Sequence, residues 1–201
     1  ARHTQVLELS LGEARLASFD KARAKGISGL ISLVKGKRWL AAVASDWWAA
    51  ERALAAIAPN FRAHGKADSS KIEAALDEAV TRGEATRYYE TGDADALLSK
   101  PYALALRYDI APALHATLET ASATARLAGG KLELWIASQA PEAARLAAAE
   151  AAGIDPRNVV LYPMPAGGSF DRRLEVDHAI EVAAIAKAVG RPVQLTWSRW
   201  Q

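Results

Sequence analysis

Residues 158–198 read NVVLYPMPAGGSFDRRLEVDHAIEVAAIAKAVGRPVQLTWS, and their order decides the fold class. NVVLYPM is an apolar run of strand length, VDHAIEVAAIAKAVG repeats apolar residues at helical spacing, and PVQLTWS returns to a strand. Gly190-Arg191-Pro192 connects the helix to the last strand. Between the first strand and the helix lies PAGGSFDRRLE, a glycine pair followed by Phe170 and a charged cluster. The stretch is a strand, a turn, a helix and a strand, the unit from which mixed α and β domains are assembled.

The same order occurs just upstream. SATARLA and LELWIAS read as strands joined by the hairpin signal Gly129-Gly130. In SQAPEAARLAAAEAAG, Ser138 or Gln139 can sit near the N-cap of a helix, Pro141 falls in its first turn, Glu142 suits its positive end and Gly153 closes it. YALALRYDI, residues 102–110, alternates like a further strand.

Towards the N-terminus, apolar runs place strands at about 5–11, 29–34 and 39–44. Ser45 or Asp46 can cap DWWAAERALAAIA, whose Trp47, Ala50, Leu54 and Ile57 share a helical face until Pro59. In SSKIEAALDEAVTRG, Ser70 and Glu73 form a capping box, Ile72, Leu76, Ala79 and Val80 share a face, and Gly83 ends the helix. The polar stretch that follows, punctuated by Gly92-Asp93 and Pro101, sets a boundary near residue 100. The expectation is an α+β chain of two domains, 1–100 and 101–201.

Composition narrows the function. The 201 residues are 51% hydrophobic and 24% charged, enough for real cores. With 25 Lys and Arg against 23 Asp and Glu, no electrostatic footprint argues for nucleic acid or an anionic membrane. No apolar run is long enough for direct membrane insertion. The lack of cysteine excludes disulfides and thiolate metal sites within the chain, yet it does not choose between a cytoplasmic and a periplasmic location.

The glycine pair permits positive φ and close approach of backbone N–H groups, so Gly167-Gly168-Ser169 at a helix start can cradle an anion or an oxo group. A tight turn with no ligand is the plain alternative. The turn lacks the Gly-Lys-Ser/Thr of a P-loop and the Gly-x-Gly-x-x-Gly spacing of a dinucleotide fingerprint.

Three stretches widen the view: LHATLETASATAR, ELWIASQAPEAAR, and GGSFDRRLEVDHAIEVAAIAKAVGRPVQLTWSR. Together they make residues 103–199 resemble the molybdenum-binding subunit of the xanthine dehydrogenase and aldehyde oxidase superfamily. The resemblance is to a His-Ala-x-x-Glu segment, a Trp-x-x-x-Gln helix start and a Gly-Gly-x-Phe-Gly-Arg loop. Within the superfamily the likeness is to isoquinoline oxidoreductase-like and membrane-associated aldehyde dehydrogenase large subunits. Residues 1 to about 90 resemble the preceding α/β hammerhead domain on pattern alone.

The resemblance implies that Gln139 turns its amide to the oxo or sulfido ligands of molybdenum, and that Gly167, Gly168, Ser169, Phe170, Asp171 and Arg172 form the loop against the cofactor. It implies a metal held by a pterin dithiolene, with no protein metal ligand in this chain. Asp171 departs from the family's glycine. Either its side chain points away, toward Arg172 or Arg173, or the loop differs.

The intact subunit is expected to hydroxylate aldehydes or aromatic heterocycles with oxygen from water, and to pass electrons to an iron–sulfur small subunit and on to an acceptor. The catalytic glutamate of the family lies beyond this stretch, so the chain is expected to be an inert excerpt without catalytic residues, completed by the remainder of the large subunit. A non-catalytic scaffold that keeps the fold is the rival reading, and a stand-alone anion-binding enzyme is a third. Other conspicuous residues have plain readings. His115 with Glu119 reads as a packed histidine and carboxylate, one of Trp47 and Trp48 as core, and KGKRW as a solvated turn.

Overall fold

The computed structural model describes residues 2–8, 14–63, 68–101, 103–111, 113 and 116–199. They group into two compact units, 1–65 with 115–201, and 66–114.

The first unit begins with β1 (Arg2–Glu8), β2 (Arg15–Ser18), β3 (Leu30–Lys35), β4 (Trp39–Ala44), helix α1 (Trp47–Ile57) and β5 (Asn60–Arg62). The second unit holds α2 (Ser69–Arg82) and α3 (Ala94–Leu98). The chain re-enters the first with β6 (Ser122–Ala128), β7 (Lys131–Ile136), α4 (Pro141–Ala152), β8 (Val159–Pro163), α5 (Asp177–Val189) and β9 (Val193–Thr196).

Seven strands form one sheet in the order β3-β4-β1-β9-β6-β7-β8, and β2 pairs with β5 separately. The large sheet takes strands from both sides of residue 100, because β1 pairs in parallel with β9 as well as antiparallel with β4. A boundary at residue 100 therefore falls between strands of the same sheet.

Strand β4, WLAAVA, is apolar throughout because both of its faces are covered. Leu40, Ala42 and Ala44 pack with Ala50, Ala53, Leu54 and Ile57 of α1. Ala41 and Val43 join the larger core, where Ala144, Ala148 and Ala152 of α4 and Ala179, Val182 and Ala183 of α5 meet Leu132, Leu134, Val193 and Leu195. Alanine at these positions lets two helices and a sheet approach closely without voids.

The local signals and the folded chain agree at several points. Gly129 and Gly130, at φ 56 and 74, close the β6–β7 hairpin. Pro141 starts α4, and Gly153 ends it in the left-handed region. Asp46 caps α1 by accepting from Ala49 N–H at 2.9 Å.

Three expectations are corrected. The cap of α2 is Asp68, which accepts from Lys71 N–H at 3.1 Å, and not Ser70. Residues 103–111 form no strand, since no described strand pairs with them and alternation alone supplies no ladder. Trp47 and Trp48 are both exposed, at 36% and 62%. The buried stripe of α1 runs through Ala49, Ala50, Ala53, Leu54 and Ile57, and Trp47 and Trp48 precede it at the helix start. The shared face of α2 is real but uncovered, with Leu76 53% and Val80 74% exposed.

Candidate functional site

Strands β7, β8 and β9 run parallel, so the loops that leave them gather at one end of the sheet. Residues 116–121, which lead into antiparallel β6, arrive at the same end. In open sheets of this kind, ligands bind beyond the carboxyl ends of the strands.

The glycine turn occupies that end. Gly168 has φ 99, Phe170 φ 46 and Asp171 φ 62, so three of four consecutive residues adopt positive φ. Gly168 suits the first of these because it has no Cβ to clash there. Asp171 takes the left-handed conformation that aspartate tolerates better than most residues.

The turn is fastened from outside. Gly167 N–H donates to Glu119 Oε2 at 2.5 Å, and Glu119 N–H returns a bond to Gly167 O at 3.4 Å. Arg173 is only 2% exposed, and its guanidinium donates to Gly168 O at 3.1 Å and to Glu119 O at 3.2 Å. Its Nη1 is buried and has no hydrogen-bond partner among the described residues. Arg172 forms an ion pair with Glu175 and lies over the Trp197 ring at 5.2 Å.

The loop after β7 joins from the other side. Gln139 N–H donates to Arg173 O at 2.9 Å, and Gln139 Nε2 donates to Asp171 Oδ1 at 3.2 Å. The expected site residues Gln139 and Gly167 to Arg172 are therefore brought together. Among the described residues the Asp171 carboxylate bonds Gln139, while Arg172 pairs with Glu175 and Arg173 with Glu119.

What the turn leaves open matters as much. The backbone N–H groups of Gly168, Ser169, Phe170 and Asp171 have no hydrogen-bond partner among the described residues. Unpaired backbone N–H groups are able to donate to anionic or oxo oxygen. Phe170 is 67% exposed beside it.

Beneath the turn lies a buried polar layer that sequence reasoning missed. His178 Nε2 lies 3.3 Å from Ala137 O, and its ring meets Trp197 edge-on. Burial lowers the His178 pKa to about 4; the nearby guanidiniums of Arg173 and Arg172 act in the same direction, while the Ala137 carbonyl and Asp177 oppose it. Glu181 accepts from Trp197 Nε1 at 2.8 Å. His178 and Glu181 are three residues apart on the buried face of α5, a helical spacing that was the available signal. Glu119 is the clasp of the turn, whereas its suggested partner His115 lies outside the described residues. Among the described residues no group of three or more His, Asp or Glu side chains is placed to hold a metal ion.

Residues 77–201, more than half of the chain, match the molybdopterin cofactor-binding domain family. The chain belongs to that family. The matched region contains Gln139 and the whole turn. The chain is 27% identical over 192 residues to isoquinoline 1-oxidoreductase subunit beta of Brevundimonas diminuta, covering 90% of this chain and 25% of that protein. It thus spans about a quarter of that relative's length.

Two solved structures share the fold. Aldehyde oxidoreductase from Desulfovibrio gigas superposes with a TM-score of 0.74 at 18% identity, covering 98% of this chain and 27% of that one. Quinoline 2-oxidoreductase from Pseudomonas putida 86 gives 0.69 at 20% identity, covering 96% and 31%.

Proposed function

We propose that this chain is part of a molybdenum hydroxylase large subunit that oxidises aldehydes or N-heteroaromatic compounds with water as the oxygen source. In this reading residues 1–100 correspond to the hammerhead domain and the remainder begins the cofactor domain. The rest of the large subunit supplies the base and the substrate pocket, and an iron–sulfur subunit carries electrons to an acceptor. The isolated chain is then inert.

One observation carries the reading: the four open backbone donors at 168–171 stand beside the Gln139 amide, inside the stretch that matches the cofactor-binding family. The residues present fit a molybdenum–pterin group. One Gln139 N–H is committed to Asp171, which leaves the second for an oxygen ligand. The backbone donors of Gly168, Ser169, Phe170 and Asp171 would hold further anionic oxygens of the group. When bound, the group supplies two-electron redox chemistry. This chain's own part is to orient and stabilise it through N–H donors that need no rearrangement.

The test is isotope transfer by the full-length subunit with its partners. In water enriched in oxygen-18, product from an aldehyde or a quinoline should carry the label. Label taken from dioxygen, or no turnover by a molybdenum-loaded enzyme, contradicts the reading. The scaffold alternative rests on Asp171, the departure from glycine. It gains if Asp171→Gly in the full-length subunit brings activity that the natural protein lacks.

A further inference from the structure

We propose that Asp171 is a positioning residue that fixes the Gln139 side-chain amide in one orientation beside the loop. The inference rests on reading that loop as a cofactor cradle, and it goes further by giving the unexpected carboxylate a task.

A carboxylate can only accept, so Gln139 must offer its nitrogen to Asp171 Oδ1 at 3.2 Å and turn its oxygen elsewhere. That removes the twofold ambiguity inherent in a primary amide. The base of the same side chain is held too, because Gln139 N–H donates to Arg173 O at 2.9 Å. Gln139 is exposed, and without a partner its flexible chain would sample several rotamers.

No ion pair draws the Asp171 carboxylate to its cationic neighbours among the described residues. Arg172 pairs with Glu175 and covers Trp197, and Arg173 is buried against Gly168 O and Glu119 O. The left-handed backbone at Asp171, φ 62, accompanies the approach of its carboxylate to the end of β7. Two residues 32 apart in sequence thereby set one N–H direction.

The experiment compares the cofactor-loaded full-length subunit carrying wild-type sequence, Asp171→Asn and Asp171→Gly. Asparagine keeps an acceptor oxygen but adds an N–H donor, so it can pair with either end of the Gln139 amide, and glycine keeps the left-handed backbone without the acceptor. Crystal structures should show one Gln139 side-chain conformer in wild type and more than one in Asp171→Gly. The glycine variant should lose about tenfold in kcat, as partners of cofactor-facing groups commonly do, with KM and molybdenum content within about twofold of wild type. Asp171→Asn, which admits both orientations of the Gln139 amide, should fall between wild type and Asp171→Gly in kcat. A Gln139 side chain as ordered in Asp171→Gly as in wild type, or an Asp171→Gly that keeps the wild-type kcat, overturns the proposal. If wild type takes up no molybdenum, the cradle reading fails, and Gln139 order in the crystals still decides the positioning role.

Discussion

Gly167 and Glu119 exchange two hydrogen bonds across 48 residues of sequence, the glycine N–H to the carboxylate at 2.5 Å and the glutamate N–H to the glycine carbonyl at 3.4 Å. This clasp ties the glycine turn to the segment that leads into β6, and Arg173 reinforces it from below. The turn is therefore held by contacts at Gly167 and at Gly168 O.

Glu119→Ala should release the turn. A hydrogen bond to a charged group is worth about 1.5 kcal/mol at the low end, suited to a carboxylate that is partly exposed. Hydrogen exchange should show faster loss of label at Gly167 and its neighbours, while Glu119→Gln, which still accepts, should stay near wild type.

Gly168→Ala tests the backbone rather than a contact. A Cβ at Gly168 would meet nothing nearer than 3.6 Å, so space is available, yet φ 99 is strained for alanine. The expected cost is about 1–2 kcal/mol, seen as a lower denaturant midpoint with an unchanged m-value.

The fold is legible in the sequence where a signal is local. Pro141, Glu142 and Gly153 mark α4, and Gly129-Gly130 marks the hairpin, because a cap or a turn depends on a few adjacent residues. Residues 102–110 mislead because alternation reports a two-faced extended segment and says nothing of a partner strand. The cap of α2 is misplaced by two residues because Asp68, Ser69 and Ser70 can all serve, and Asp68 does. In the site, the loop is visible from its glycines and its likeness to a family. The bonds from Gln139 to Asp171 and from Glu119 to Gly167 are not, since both join segments distant in sequence.

His178 makes stability depend on pH. Its pKa in the folded chain is about 4, below the ordinary 6.5, so between these values the unfolded chain takes up a proton that the folded chain refuses. Stability should hold above pH 6.5, fall as pH drops towards 4, and lose on the order of 3 kcal/mol across that window. Denaturant titrations of wild type and His178→Phe should differ in slope over that window, with the variant the flatter. Parallel slopes contradict the assignment.

Ala148→Leu probes the close approach of α4 and α5. Ala148 is fully buried in the core that α4 and α5 share with the sheet, and leucine would add three carbons there. Overpacking should destabilise the chain by about 1–3 kcal/mol. Leu76→Lys on the exposed face of α2 should change stability by less than about 0.5 kcal/mol. Thermal unfolding of the two variants side by side separates a packed helix face from an uncovered one.

The central claim is that this chain contributes a cradle for a molybdenum–pterin group. The most direct measurement is the mass of the native polypeptide containing this sequence, purified from its source cells, together with molybdenum per polypeptide by elemental mass spectrometry. The account predicts a polypeptide several times longer than 201 residues with molybdenum approaching one per chain. A long polypeptide without molybdenum, or a native chain of only this length, would contradict it.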